Sequence, residues 1–163
     1  MRKAVLFTKA WDRAYRLRWD DVVYEPGVLE VVTYKKGKEW ARASVKTTGR
    51  PQELLLEPET TSVIADGEDV CFVNVSLRDA QGLLVPRTRN RIVFAVDGPG
   101  VIVATDNGDE TDFDDFRKPS RRVFNGRAQA IVRAIKGKSG PITVTASVDG
   151  IPTAKTVIAA KVE

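Results

Sequence analysis

The chain has 163 residues, 42% hydrophobic and 29% charged, with 26 Lys and Arg against 22 Asp and Glu and a net charge of +4. That composition fits one globular domain, or one domain with part of another, and excludes a disordered chain. Its positive charges are scattered along the sequence, which argues against nucleic acid as a partner. No apolar run approaches the ~18 residues that span a bilayer, which argues against membrane insertion.

Met1-Arg2-Lys3-Ala4-Val5-Leu6-Phe7 opens like a signal peptide, but Thr8-Lys9-Ala10-Trp11-Asp12-Arg13 ends the apolar stretch before an h-region develops. The mature chain is expected to be soluble, with any export signal elsewhere. From Ala4 to Val45 the pattern is strand, turn, strand. Glu25-Pro26-Gly27 makes a turn, and Val28 to Tyr34 then meets Glu39 to Val45 across Lys35-Lys36-Gly37-Lys38. Gly37 supplies the positive φ that a tight hairpin needs. Trp19 and Tyr24 flank an apolar strand and are expected in a core. Trp40, close to the hairpin tip, is the one aromatic of this part that reads as a platform for stacking on a sugar.

Thr47-Thr48-Gly49-Arg50-Pro51 interrupts the periodicity and marks a boundary between a module of residues 1–50 and one of 51–163. Strands are predicted beyond it at Glu53 to Glu57, Ser62 to Ala65, Val70 to Arg78, Arg91 to Val96, Val101 to Thr105, Arg127 to Ile135, Ile142 to Ser147 and Ala154 to Val162. Gly98-Pro99-Gly100, Lys136 to Gly140 and Asp149-Gly150 turn the chain between them. In the clearest strand Cys71, Val73, Val75 and Leu77 share a buried face, while Asn74, Ser76 and Arg78 share a wet one. Cys71 thus reads as a small core side chain. Phe72 breaks the alternation and is expected to pack under a loop or against the first module. The pattern as a whole is that of an all-β, antiparallel sandwich in residues 51–163. About fifty residues with few strands would be marginal alone, so the first module must lean on its neighbour or be the tail of a larger domain.

Chemistry is sparse. The chain has no histidine and a single cysteine, hence no intrachain disulfide. Asp106, Asp109, Asp112 and Asp114, with Glu110 and Asp115, crowd one loop and raise the question of calcium, which takes several oxygen ligands from a flexible segment. Gly108 comes too early for an EF-hand, and the register from Glu110 lacks the central glycine and closing glutamate. Arg117, Lys118, Arg121 and Arg122 follow at once, so a solvated loop neutralised by its own bases is the plainer reading. Glycoside hydrolysis needs two carboxyls ~5 to 9.5 Å apart, one of them desolvated. A polar run on one loop supplies neither condition. Arg87, Arg89 and Arg91 alternate as a basic stripe on a strand edge, a device that discourages edge pairing.

Taken in order, Tyr24-Glu25-Pro26-Gly27, Thr47 to Pro51, Ala65-Asp66-Gly67-Glu68-Asp69-Val70, Phe72-Val73-Asn74-Val75, Gly98-Pro99-Gly100, Asp106-Asn107-Gly108-Asp109 and Phe124-Asn125-Gly126 resemble the C-terminal region of family 2 glycoside hydrolases. The resemblance is to β-galactosidases of gut Bacteroides and runs from about Tyr15 to Val148. Val70 and Cys71 stand where Leu and Ser are expected, and Thr48 where Ala is common. The resemblance implies an immunoglobulin-like sandwich of the invasin-like kind, preceded by the closing strands of a second, truncated immunoglobulin-like module. In that family a (β/α)₈ barrel supplies both catalytic glutamates of a retaining mechanism, and no position here matches its motifs. It therefore implies no catalytic residue and no cofactor in this chain, and as partners the barrel of a parent glycosidase, a glycan, or a homo-oligomer of that parent. A periplasmic or extracellular location follows from the same likeness. Two other functions share the sandwich: a carbohydrate-binding module, and a surface stalk or adhesin, although the Ala65 to Val75 block has no second copy.

Overall fold

The computed structural model describes residues 22–162. The expected strand before Val22, with Trp11, Tyr15 and Trp19, lies outside the described residues. The chain divides into two compact units between Thr47 and Thr48.

In the first unit, β1 (Val28–Lys35) and β2 (Lys38–Lys46) pair antiparallel. Lys36 and Gly37 join them with φ of 51° and 74°. Two successive positive φ values make a type I′ turn, whose twist matches that of the strands it joins. Leu29↔Val45, Val31↔Ala43 and Thr33↔Ala41 lie on one face of the ribbon, and Glu30↔Ser44, Val32↔Arg42 and Tyr34↔Glu39 on the other. Arg42 bridges Glu30 at 2.5 Å and Glu39 at 2.9 Å on the polar face. The ribbon is thus amphipathic. Tyr24 departs from expectation: it is 73% exposed, because its hydroxyl meets the Thr47 hydroxyl at 3.4 Å at the open end of the hairpin.

The second unit is a sandwich. One sheet orders β3 (Glu53–Pro58), β5 (Val70–Arg78), β9 (Arg127–Ala134) and β7 (Gly100–Asp106). The other orders β4 (Ser62–Ile64), β11 (Ile151–Lys161), β10 (Gly140–Val148), β6 (Arg91–Asp97) and β8 (Ser120–Arg122). Lettered by position, β3-β5-β9-β7 is the A-B-E-D sheet and β6-β10-β11 the C-F-G sheet of an immunoglobulin-like fold. The first strand switches sheets, with β3 antiparallel to β5 and β4 parallel to β11. Alternate residues of both sheets meet in the middle. Val73, Val75 and Leu77 from β5, Val132 from β9, Ile92 from β6, and Ile142 and Val144 from β10 are all buried there. Cys71 is buried with them.

Three local expectations need correction. Ser76 is buried despite lying on the face expected to be wet, while its strand neighbour Asn74 is exposed. Phe72 is half-buried on that same outer face, directly across from Ile131 of β9, so an apolar cross-strand pair explains the break in alternation. Arg87 and Arg89 lie outside any strand, and Arg91 opens β6, which β10 and β8 flank on both sides. No basic edge stripe forms from them.

Candidate functional site

Antiparallel order brings three connections to one end of the sandwich. The end of β5 and the end of β7 both lie beside the start of β9, through Ser76↔Arg127 and Asp106↔Gln129. The end of β10 lies beside the start of β6, through Ser147↔Val93. Residues 79–90, the acid-rich segment 107–126 and the Asp149-Gly150 turn therefore cluster there, the end that carries binding loops in many sandwiches of this class.

The acid-rich segment is organised by a residue that sequence reasoning treated as surface charge. Arg121, on the short strand β8, is 0% exposed. It stands opposite Ile92 of β6 and so shares the inward face. Its Nε donates to Thr105 Oγ1 at 3.3 Å, Nη1 to Asp112 Oδ2 at 3.2 Å and to the Asp114 carbonyl at 3.0 Å. Nη2 donates to the carbonyls of Thr105 at 2.7 Å and Asp115 at 3.3 Å. A guanidinium has five N–H donors, and here each has an acceptor. Among the described residues no buried side-chain nitrogen or oxygen lacks a partner. The signal for Arg121 was faint: it shares strand parity with Val123, also buried, in an otherwise charged run.

Each of the four aspartates singled out from the sequence, Asp106, Asp109, Asp112 and Asp114, has a local task. Asp106 Oδ1 accepts the Asn107 N–H at 2.7 Å, and Asp109 Oδ1 accepts the N–H and hydroxyl of Thr111 at 3.0 and 2.7 Å. Asp112 binds Arg121, the Asn107 side-chain amide at 2.8 Å and the Asp114 N–H at 2.9 Å. Asp114 pairs with Arg91 at 2.7 Å. Among the described residues no group of three or more His, Cys, Asp or Glu converges as a metal would require. The electrostatics point the same way. The Asp114 N–H chiefly, with Arg121 and Asn107 helping, holds the Asp112 carboxyl below the ordinary aspartate value of 3.8. Arg91 lowers Asp114, and the Arg117 N–H lowers Asp115. A general acid in glycoside hydrolysis needs the opposite shift.

Asp79 is a second organising carboxylate that the sequence did not reveal. It is 1% exposed. Its Oδ2 accepts the Gly49 N–H at 2.8 Å, and Oδ1 accepts those of Gln81 and Leu83 at 2.9 Å each. These donors, Gly49 first, lower its pKa against the opposing effect of burial. Because the folded pKa of Asp79 and of Asp112 lies below the unfolded one, the stability they confer is full above the unfolded value. It is lost as pH falls through the folded value. The urea midpoint should therefore be flat from about pH 7 to 5 and fall below about pH 4. Asp79→Asn should lower the midpoint at pH 7 and make the acid limb shallower; equal midpoints at pH 7 and pH 3 in the unaltered protein would contradict this.

Trp40 is 67% exposed. It is the extra residue where the β1–β2 register shifts, without a cross-strand partner, and Lys35 Nζ sits 4.2 Å from its ring centroid. At the opposite end of the sandwich a shallow groove of about 430 Å³ is lined by Asp66, Gly67, Glu68, Val101, Arg133 and Lys136 among others. Its Asp66 caps a turn, accepting the N–H groups of Glu68 at 2.7 Å and Asp69 at 2.8 Å.

Residues 54–157, nearly the whole sandwich, match the family described as glycoside hydrolase family 2 C-terminal domain 5. The chain belongs to that family. Ahead of this family 2 C-terminal domain, residues 5–41 match a family described as a domain of unknown function. The β-galactosidase BoGH2A of Bacteroides ovatus is 34% identical over 140 residues, which is 86% of this chain and 16% of that protein. A β-glucuronidase of Formosa agariphila is 29% identical over 92 residues, 55% of this chain and 9% of that protein. The crystal structure of a glycosyl hydrolase family 2 member from Bacteroides cellulosilyticus superposes with a TM-score of 0.81 at 30% identity, covering 86% of this chain and 18% of that one. A β-glycosidase from Bacteroides vulgatus gives 0.75 at 27% identity, covering 85% and 18%. The family 2 C-terminal domain thus spans less than a fifth of the relatives it matches.

Proposed function

We propose that this chain is a non-catalytic C-terminal part of a family 2 glycoside hydrolase, a retaining β-galactosidase, and that it supports or positions the catalytic barrel during carbohydrate degradation. The observation that carries this reading is the family match over 54–157, on a sandwich whose acid-rich end commits its carboxylates to backbone N–H groups and arginines. Such a unit offers a rigid surface and contributes no reacting group. Residues 1–50 are the closing strands of a further immunoglobulin-like domain. The exposed apolar face of the hairpin, Leu29 and Val45 above all, supports this, since a two-stranded ribbon needs a layer packed on its apolar side.

The role is tested in the complete polypeptide of the parent enzyme. Removing residues 48–163 should leave hydrolysis of nitrophenyl β-galactoside measurable while shortening the half-life of heat inactivation several-fold. Unchanged half-life and unchanged kcat/KM would count against a supporting role. A glycan contact at Trp40 is the second reading, favoured by the ring's exposure on a bulge. It requires saturable heat on titration with galactan that disappears in Trp40→Ala.

A further inference from the structure

Phe113 is the most exposed large apolar side chain among the described residues, at 94%. It does not sit on a loose tip. Asp112 before it is tied to Arg121 and Asn107, and Asp114 after it is tied through its N–H to Asp112, through its carbonyl to Arg121 and through its carboxylate to Arg91. With both neighbours anchored, the backbone holds the ring out in water, and no fold contact explains that placement. Phe116 differs. Although 54% exposed, it stacks on the Arg121 guanidinium at 5.0 Å and so has a task inside the loop. Asp109 and Glu110, four and three residues before Phe113 in the chain, take part in no ion pair among the described residues, so the segment leading to the ring carries unneutralised acid. A fixed aromatic ring with unpaired carboxylates close by in the chain has the form of an interface anchor, whose ordering cost is met before binding.

We propose that Phe113 anchors this end of the sandwich to another domain of the same polypeptide, one that presents an apolar pocket bordered by Arg or Lys. The proposal rests on the parent-enzyme reading above. In the relatives matched, more than four-fifths of the polypeptide lies outside the region this chain covers, so a partner in cis is at hand at high effective concentration. The unpaired carboxylates of Asp109 and Glu110 select its charge.

Hydroxyl-radical footprinting of Phe113 in the 163-residue chain and in the complete parent polypeptide tests this directly. Oxidation of Phe113 should be at least tenfold slower in the complete polypeptide. The substitution Glu110→Lys, at an acid that takes part in no ion pair among the described residues, should return part of that rate while leaving the melting temperature of the 163-residue chain unchanged. Equal oxidation in both polypeptides overturns the proposal while leaving the parent-enzyme reading intact. Protection that grows with protein concentration overturns it in favour of a second copy. Protection that appears only on adding galacto-oligosaccharide overturns it in favour of a sugar. A gene that encodes no hydrolase barrel overturns the parent-enzyme reading and this partner together.

Discussion

Arg121→Met lowers the stability of the sandwich by about 3 kcal/mol and moves the urea midpoint down by about 1–2 M. Methionine fills much of the volume but donates nothing, so the loss comes from what is left behind. The carbonyls of Thr105, Asp114 and Asp115 and the Asp112 carboxylate all face the vacated donors. Leaving buried acceptors unpaired costs more than the bonds contribute net. Lysine restores the charge but has three donors where five acceptors wait, so Arg121→Lys should recover less than half of the loss. An Arg121→Met protein that unfolds at the same urea concentration as the parent would show that the guanidinium does not hold the loop.

Gly98→Ala should cost about 2–5 kcal/mol. Two effects act together at this turn between β6 and β7. The residue has φ of 96°, and a Cβ there would lie 2.2 Å from the Pro141 carbonyl oxygen, which belongs to backbone and cannot swing aside. Gly82 separates the two effects, because it has φ of 75° with nothing within 4 Å of a Cβ. Gly82→Ala should cost only about 1 kcal/mol, the conformational part alone. If the two alanine variants melt together, close approach to Pro141 is not what requires glycine at 98.

Much of this architecture could be read from residue order. The alternation of Cys71, Val73, Val75 and Leu77 revealed β5 because a strand with one buried face has a period of two. Lys36-Gly37 marked the hairpin because paired positive φ values favour glycine at the second position. Strand β8 escaped notice: with three residues, two of them arginine, it reads as solvated charge. Arg121 becomes legible only after folding, since its acceptors come from positions 105, 112, 114 and 115 and converge on one point in space. Asp79 is hidden for the same reason, its Gly49 donor lying thirty residues away. Tyr24 misleads because the same aromatic can fill a core or hold a hairpin end through its hydroxyl. That nearby bases meet Asp112, Asp114 and Asp115 was readable, while the rigid display of Phe113 was not, because it depends on that hidden arginine.

The central claim is that these residues form a β-sandwich accessory unit whose acids are structural. It is tested most directly by assaying the purified 163-residue chain on nitrophenyl β-galactoside and nitrophenyl β-glucuronide. The account predicts hydrolysis indistinguishable from buffer across pH 4 to 8. Saturable turnover that follows the chain through purification would contradict it.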